Sequence, residues 1–270
     1  MIRITPLAFA ASLVAAPLLA DTEHRPPRAD VEILPGWRTE AGTHIAALRV
    51  TLAENWKTYW RAPGEAGLPP RLDWSGSENV ASVTPHWPVP ETFLSSGMVT
   101  LGYHDELILP LEILPVDPEA DIALSGDLAM GICENICVPI DADVAAVLPG
   151  LDGAHDPRIQ LALDRQPETA DAAGLVAAFC DTAEIDDGLT VTARLLLPAI
   201  GSDELAVIEA VDPSIWVSSV TTTREGDELI AVADLVPANA KPFALDPATL
   251  RFTVLAGERA VDIQGCENRP

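Results

Sequence analysis

Breakers dominate this sequence and decide what it can become. Its 24 prolines and 17 glycines are spread over 270 residues. Proline cannot donate to a helix or sheet ladder, so it is confined to turns, edges and first helical positions. Long helices are therefore excluded, and short apolar runs lie between the breakers, as at residues 44–52, 107–114 and 138–148. Runs of this length bounded by turn residues read as strands. With the Pro/Gly stretches at 62–70 and 87–90 between them, they predict an immunoglobulin-like sandwich.

The chain is long for one such unit, and a cluster of breakers over residues 149–157 marks a division. After it the sequence predicts a short helix at 158–165. Strands then return at 189–197, 204–210, 214–222, 229–236 and 250–263, with hairpin turns at 224–227 and 256–258. The expectation is all-β: two immunoglobulin-like β-sandwich domains, 21–150 and 151–270, after a cleaved signal peptide at 1–20. That peptide is read from Arg3, the apolar Ala-rich stretch 7–19, and Ala20 before a polar run. The halves show no residue-level repeat. Five of the six tryptophans, at 37, 56, 60, 74 and 87, lie in the first half.

Charge narrows the function. Sixteen basic residues stand against 41 acidic ones, a net charge of −25, which excludes nucleic acid as a partner. No stretch after the signal peptide has about 18 uninterrupted apolar residues, so no stable membrane insertion is expected. Export to the periplasm places the chain where disulfides persist. No cofactor is called for, because no phosphate-binding glycine loop or serine–histidine–acid signature is legible. The five histidines (24, 44, 86, 104, 155) are scattered without metal-ligand spacing.

Four cysteines allow three pairings. The segments 121–132 and 138–148 read as strands around Glu134, Asn135 and Ile136, and a three-residue hairpin would set Cys133 opposite Cys137 within disulfide reach. Cys180 and Cys266 then pair by elimination. Closing the short loop stabilises by about 2 kcal/mol and the long one by about 4.6 kcal/mol in the chain-entropy model. The long bridge therefore reads as a structural staple, and the short one, between Gly131 and Pro139, as a bond that can open and close. Glu134 adjoins the pair, and no basic residue lies between Arg71 and Arg158. Local sequence thus predicts thiol pKa values at or above the free value of about 8.5.

Four motifs in order, residues 58–70, 87–90, 101–110 and 130–139, resemble the periplasmic N-terminal region of the thiol:disulfide interchange protein DsbD, closest to its ScsB-like branch. The likeness covers about residues 30–150 by motif and is weaker over 155–270. It implies a thiol:disulfide oxidoreductase of the electron-relay type. Reducing equivalents would pass from a membrane thiol-electron conveyor to periplasmic thioredoxin-fold proteins through a reversible Cys133–Cys137 disulfide. Cys137 would form the mixed disulfide and Cys133 would resolve it. The family normally continues into a conveyor and a terminal thioredoxin domain, which these 270 residues do not include, so both would come from other polypeptides or the pathway would be lost. The family's aromatic cap over the cysteines has Met98 or Phe93 as its counterpart here. Tyr59 and Tyr103, with Trp56 and Trp60, are candidates for a partner groove, although aromatics at strand spacing also suit a core. His104 and Asp105 read as a proton shuttle or a surface turn. Two other functions fit the same residues. One is Cu(I) handling in copper tolerance through the cysteines and Met98 or a histidine; the other is a non-catalytic binding module with structural disulfides.

Overall fold

The computed structural model describes residues 28–95, 97–150 and 153–268. The signal peptide read at 1–20 lies outside them. The first ten strands are β1 (Ala29–Arg38), β2 (His44–Leu52), β3 (Lys57–Gly64), β4 (Arg71–Asp73), β5 (Ser82–Pro85), β6 (Glu91–Ser95), β7 (Met98–His104), β8 (Glu106–Leu114), β9 (Ile122–Cys133) and β10 (Cys137–Leu148). They form a four-stranded sheet, β1-β2-β8-β5, and a six-stranded sheet, β10-β9-β3-β7-β6 with β4 also on β9. Alternation drives the packing. Leu107, Leu109, Leu111 and Ile113 of β8 turn inward, as do Ile122, Leu124, Leu128, Met130 and Ile132 of β9. Each such buried side chain contributes about 1.5–3 kcal/mol relative to exposure. Trp56 and Trp60 join this core, as does Tyr103. The sequence had left these aromatics open between core and groove; all three are core.

A helix, α1 (Pro157–Asp164), follows the division. Asp156 caps it by accepting from the Arg158 amide at 2.9 Å, and Pro157 supplies the preset first position. Ile159 packs it on the first sandwich with Leu34, Trp37, Ile45 and Ala47.

The remaining strands are β11 (Glu168–Thr169), β12 (Ala177–Ile185), β13 (Gly188–Leu196), β14 (Leu205–Glu209), β15 (Trp216–Val217), β16 (Thr221–Glu225), β17 (Glu228–Val236), β18 (Arg251–Ala256), β19 (Arg259–Gln264) and β20 (Glu267–Asn268). They build a second pair of sheets, β11-β19-β18-β14 and β15-β17-β13-β12-β20 with β16 on β17. Both expected hairpins form. Gly226 and Gly257 hold positive φ, 63° and 61°, at their turns, where a Cβ would be strained. The run read as one strand at 214–222 is two, and the run at 250–263 is the β18–β19 hairpin. The fold is all-β and immunoglobulin-like, as the breaker spacing predicts.

The sheet of β14, β18 and β19 is covered on both faces. Ile208, Phe252, Val254 and Val261 face their own core, while Leu255 and Ala260 join the core of the first sandwich, with Leu205 and Val207 packed beside them. No described helix is long and apolar enough to cross a membrane.

Candidate functional site

Cys133 and Cys137 close the β9–β10 hairpin. They are opposite partners in the register, with Cα atoms 4.2 Å apart, and their sulfurs are bonded. Cys180 and Cys266 form the other disulfide, 86 residues apart in sequence, with both residues buried. The pair expected from hairpin spacing and the pair left by elimination are both bonded.

The two halves of the hairpin disulfide differ. Cys133 is 2% exposed, whereas Cys137 is on the surface beside Glu134, Asn135 and the 75%-exposed Ile136. The cause is strand order: β10 is the sheet's edge, and β9 is covered by β3 on its other side. Register sets the neighbours. Lys57 of β3 lies opposite Cys133, and Thr58 opposite Ile132. Alternation then puts Tyr59 on the same face as Lys57 and Cys133, across from Gly131.

The Tyr59 hydroxyl lies 2.8 Å from Cys133 Sγ and 3.1 Å from Cys137 Sγ. Disulfide sulfurs carry no proton, so the phenol is the donor in both contacts. Tyr59 is 2% exposed, and burial raises its pKa, which keeps the hydroxyl protonated and able to donate. Its ring is walled by the loop after β3: a Cβ on Gly67 would lie 2.9 Å from Tyr59 Cδ1, and Leu68 reaches toward Gly131. In the sequence, 62–70 reads as a breaker run and as part of the 58–70 motif, with no contact assigned to it. Its packing on Tyr59 follows from a bulge, which breaks the β3–β7 register between Tyr59 and Gly64.

Folding brings one basic residue, distant in sequence, opposite the buried cysteine. Lys57 faces Cys133 across the ladder because a residue 76 positions earlier in sequence pairs with it. Its ammonium leans 4.6 Å over the Phe93 ring and 3.4 Å from Thr100 Oγ1, and burial lowers its pKa. Phe93 also meets His104 edge-on. His104 in turn pairs with Glu91 at 2.6 Å and Asp105 at 3.4 Å. Met98 opens β7 at 40% exposure. Tyr103 points into the core, its hydroxyl donating to Pro88 O at 2.8 Å. Of the four candidate cap and groove residues, Tyr59 is hydrogen-bonded to the sulfurs. Among the described residues, no group of three or more His, Cys, Asp or Glu is arranged to hold a metal ion.

This immunoglobulin-like sandwich presents one half-exposed disulfide from a hairpin, with a phenol hydroxyl within hydrogen-bond distance of both sulfurs, and its family match marks a thiol–disulfide exchange domain. Residues 29–149 match the family model of the N-terminal part of the thiol:disulfide interchange protein DsbD. That stretch is a DsbD N-terminal-like domain. Nine chains of solved structures are similar to this one. Among them is the N-terminal periplasmic domain of ScsB from Proteus mirabilis, 24% identical, TM-score 0.62, over 88% of this chain and 92% of that one. The likeness extends the shared fold through the second sandwich. No curated protein matches the sequence.

Proposed function

We propose that the chain is a periplasmic electron relay. It accepts two electrons from a membrane thiol-electron conveyor and passes them to thioredoxin-fold proteins through the Cys133–Cys137 couple. The observation that carries this reading is the asymmetry of the pair: one sulfur faces solvent, and the other is buried under a hydrogen-bond donor.

Thiol–disulfide exchange requires in-line attack by a thiolate on one sulfur while the other leaves. The donor's thiolate attacks exposed Cys137, the Sγ–Sγ bond breaks, and Cys133 leaves as a thiolate that accepts from the Tyr59 hydroxyl. A second donor thiol attacks the donor's own sulfur in the mixed disulfide, which releases Cys137 as a thiolate and completes a two-electron transfer. In the forward step Cys137 attacks the partner's disulfide. Cys133 then attacks Cys137, re-forms the hairpin bond and frees the reduced partner. Exposed Ile136 and the 42%-exposed Leu68 give a partner apolar contact beside the reacting sulfur.

The test is the reduction potential of the chain across thiol/disulfide buffers, with alkylated cysteines assigned by peptide mass. A reversible Cys133/Cys137 couple above about −300 mV, with Cys180–Cys266 still oxidised, supports the relay. Two bridges that both resist reduction well below that value would make the chain a binding module with structural disulfides.

A further inference from the structure

Strand β3 is weakly held by its own sheet once it has passed the disulfide. It pairs with β9 only at Lys57 and Thr58, and its pairing with β7 lapses between Tyr59 and Gly64. Trp60 anchors it in the first core, and further ties come from the second sandwich. Arg61 lies 4.0 Å over the Trp60 ring and donates through Nε and Nη2 to the Glu209 carboxylate of β14 at 3.0–3.2 Å. Nη2 also reaches Thr253 Oγ1 of β18 at 3.1 Å. Both charged side chains are largely covered, 13% and 19% exposed, and a forked, part-buried pair of this kind fixes orientation strongly.

The second tie is Glu65. Its carboxylate accepts from the Val99 amide at 2.7 Å and from the Ser219 hydroxyl, while its own amide donates to Val99 O at 3.1 Å. Between and just beyond these ties runs the loop that walls Tyr59, with Gly67 on one side of the ring and Leu68 close by over Gly131.

We infer that the second sandwich is a brace for the redox site: Glu209 and Ser219 hold Arg61 and Glu65, so that the loop between β3 and β4 fixes the Tyr59 hydroxyl on the two sulfurs. Arg61 and Glu65 are positioning residues, and Glu209 and Ser219 set them from the other sandwich. This rests on the exchange function proposed above and gives the second sandwich a task in it.

The experiment is a double-mutant cycle on the full chain. The rate of Cys133–Cys137 reduction by dithiothreitol is measured from pH 6 to 10 for wild type, Tyr59→Phe, Glu209→Gln with Ser219→Ala, and all three changes together. Loss of a hydrogen bond to a leaving thiolate slows Tyr59→Phe about tenfold, and a loosened brace slows the Glu209/Ser219 variant about threefold. The triple variant is no slower than Tyr59→Phe, because both changes act through one hydroxyl. A Glu209/Ser219 variant that loses thermal stability yet reacts at the wild-type rate overturns the inference, as does a fully additive triple variant. Should the Glu209 change prevent folding, Ser219→Ala alone, at an exposed position, must still slow reduction, and an unchanged rate sinks the brace. A wild-type hairpin disulfide that resists dithiothreitol altogether overturns the relay itself, and is seen before any variant is made.

Discussion

The ring of Tyr59 occupies space that a side chain at Gly131 would need: a Cβ there would lie 3.1 Å from Tyr59 Cδ2 and 2.8 Å from Leu68 Cβ. The glycine two residues before Cys133 therefore leaves room for the phenol to pass and reach the sulfurs. Gly131→Ala should displace Tyr59 or Leu68 and cost about 1–3 kcal/mol of stability as an overpacked site. It should also slow disulfide reduction as Tyr59→Phe does. Urea unfolding and dithiothreitol kinetics on the same variant check both, and wild-type values for either would show that the ring has room to spare.

Unequal exposure predicts unequal cysteines. In Cys133→Ser the remaining Cys137 is on the surface and should form a stable mixed disulfide with glutathione in the folded protein. In Cys137→Ser the remaining Cys133 is buried and should be alkylated at least about tenfold more slowly, catching up only in denaturant. Mass spectrometry of native and unfolded samples separates the two cases. Equal native reactivity would remove the assignment of Cys137 as the attacked sulfur.

The bridge between Cys180 and Cys266 ties β12 to the segment just before β20, across 86 residues of sequence. Replacing both cysteines with serine should lower unfolding stability by about 2–5 kcal/mol, measured by denaturant titration. The Cys133–Cys137 potential should move far less, provided the brace stays folded.

His44 gives a pH signature. It is fully buried on β2, with Nε2 2.6 Å from Pro35 O. Burial lowers its pKa below 6.5, the Arg38 charge pushes the same way, and the bond to Pro35 opposes them. In acid the unfolded chain takes up a proton at His44 before the folded chain does. The stability linked to this group is therefore full above about pH 6.5 and is lost as pH falls through the lower folded value. Urea midpoints at pH 7 and pH 5 should fall further for wild type than for His44→Gln. An identical fall in both would show that carboxylates alone set the acid limit.

Much of the fold is visible in local pattern. The run 44–52 is β2, the run 107–114 is β8 less one residue, and the helix read at 158–165 is α1 at Pro157–Asp164. Such elements follow from side-chain alternation and breakers, which neighbours in sequence decide among themselves. The 133–137 hairpin was legible for the same reason, since three residues between two strands favour the two cysteines as opposite partners.

The chemistry around that hairpin was not legible, because it depends on which strands lie beside it. Tyr59 reaches the cysteines and Lys57 lies opposite Cys133 through the β3–β9 register, and Arg61 meets Glu209 across 148 positions of sequence. Met98 and Phe93 were candidates by resemblance to the family's cap, whereas the loop at 63–68 walls the phenol because β3 bulges there. Sequence by itself determined most of the strands, the breakers between them and the Cys133–Cys137 hairpin, all set by interactions a few residues long. Tertiary structure decided which sulfur is buried, which phenol donates to it and what holds that phenol in place, because strand order and register are fixed only when the two sandwiches bury their apolar faces together.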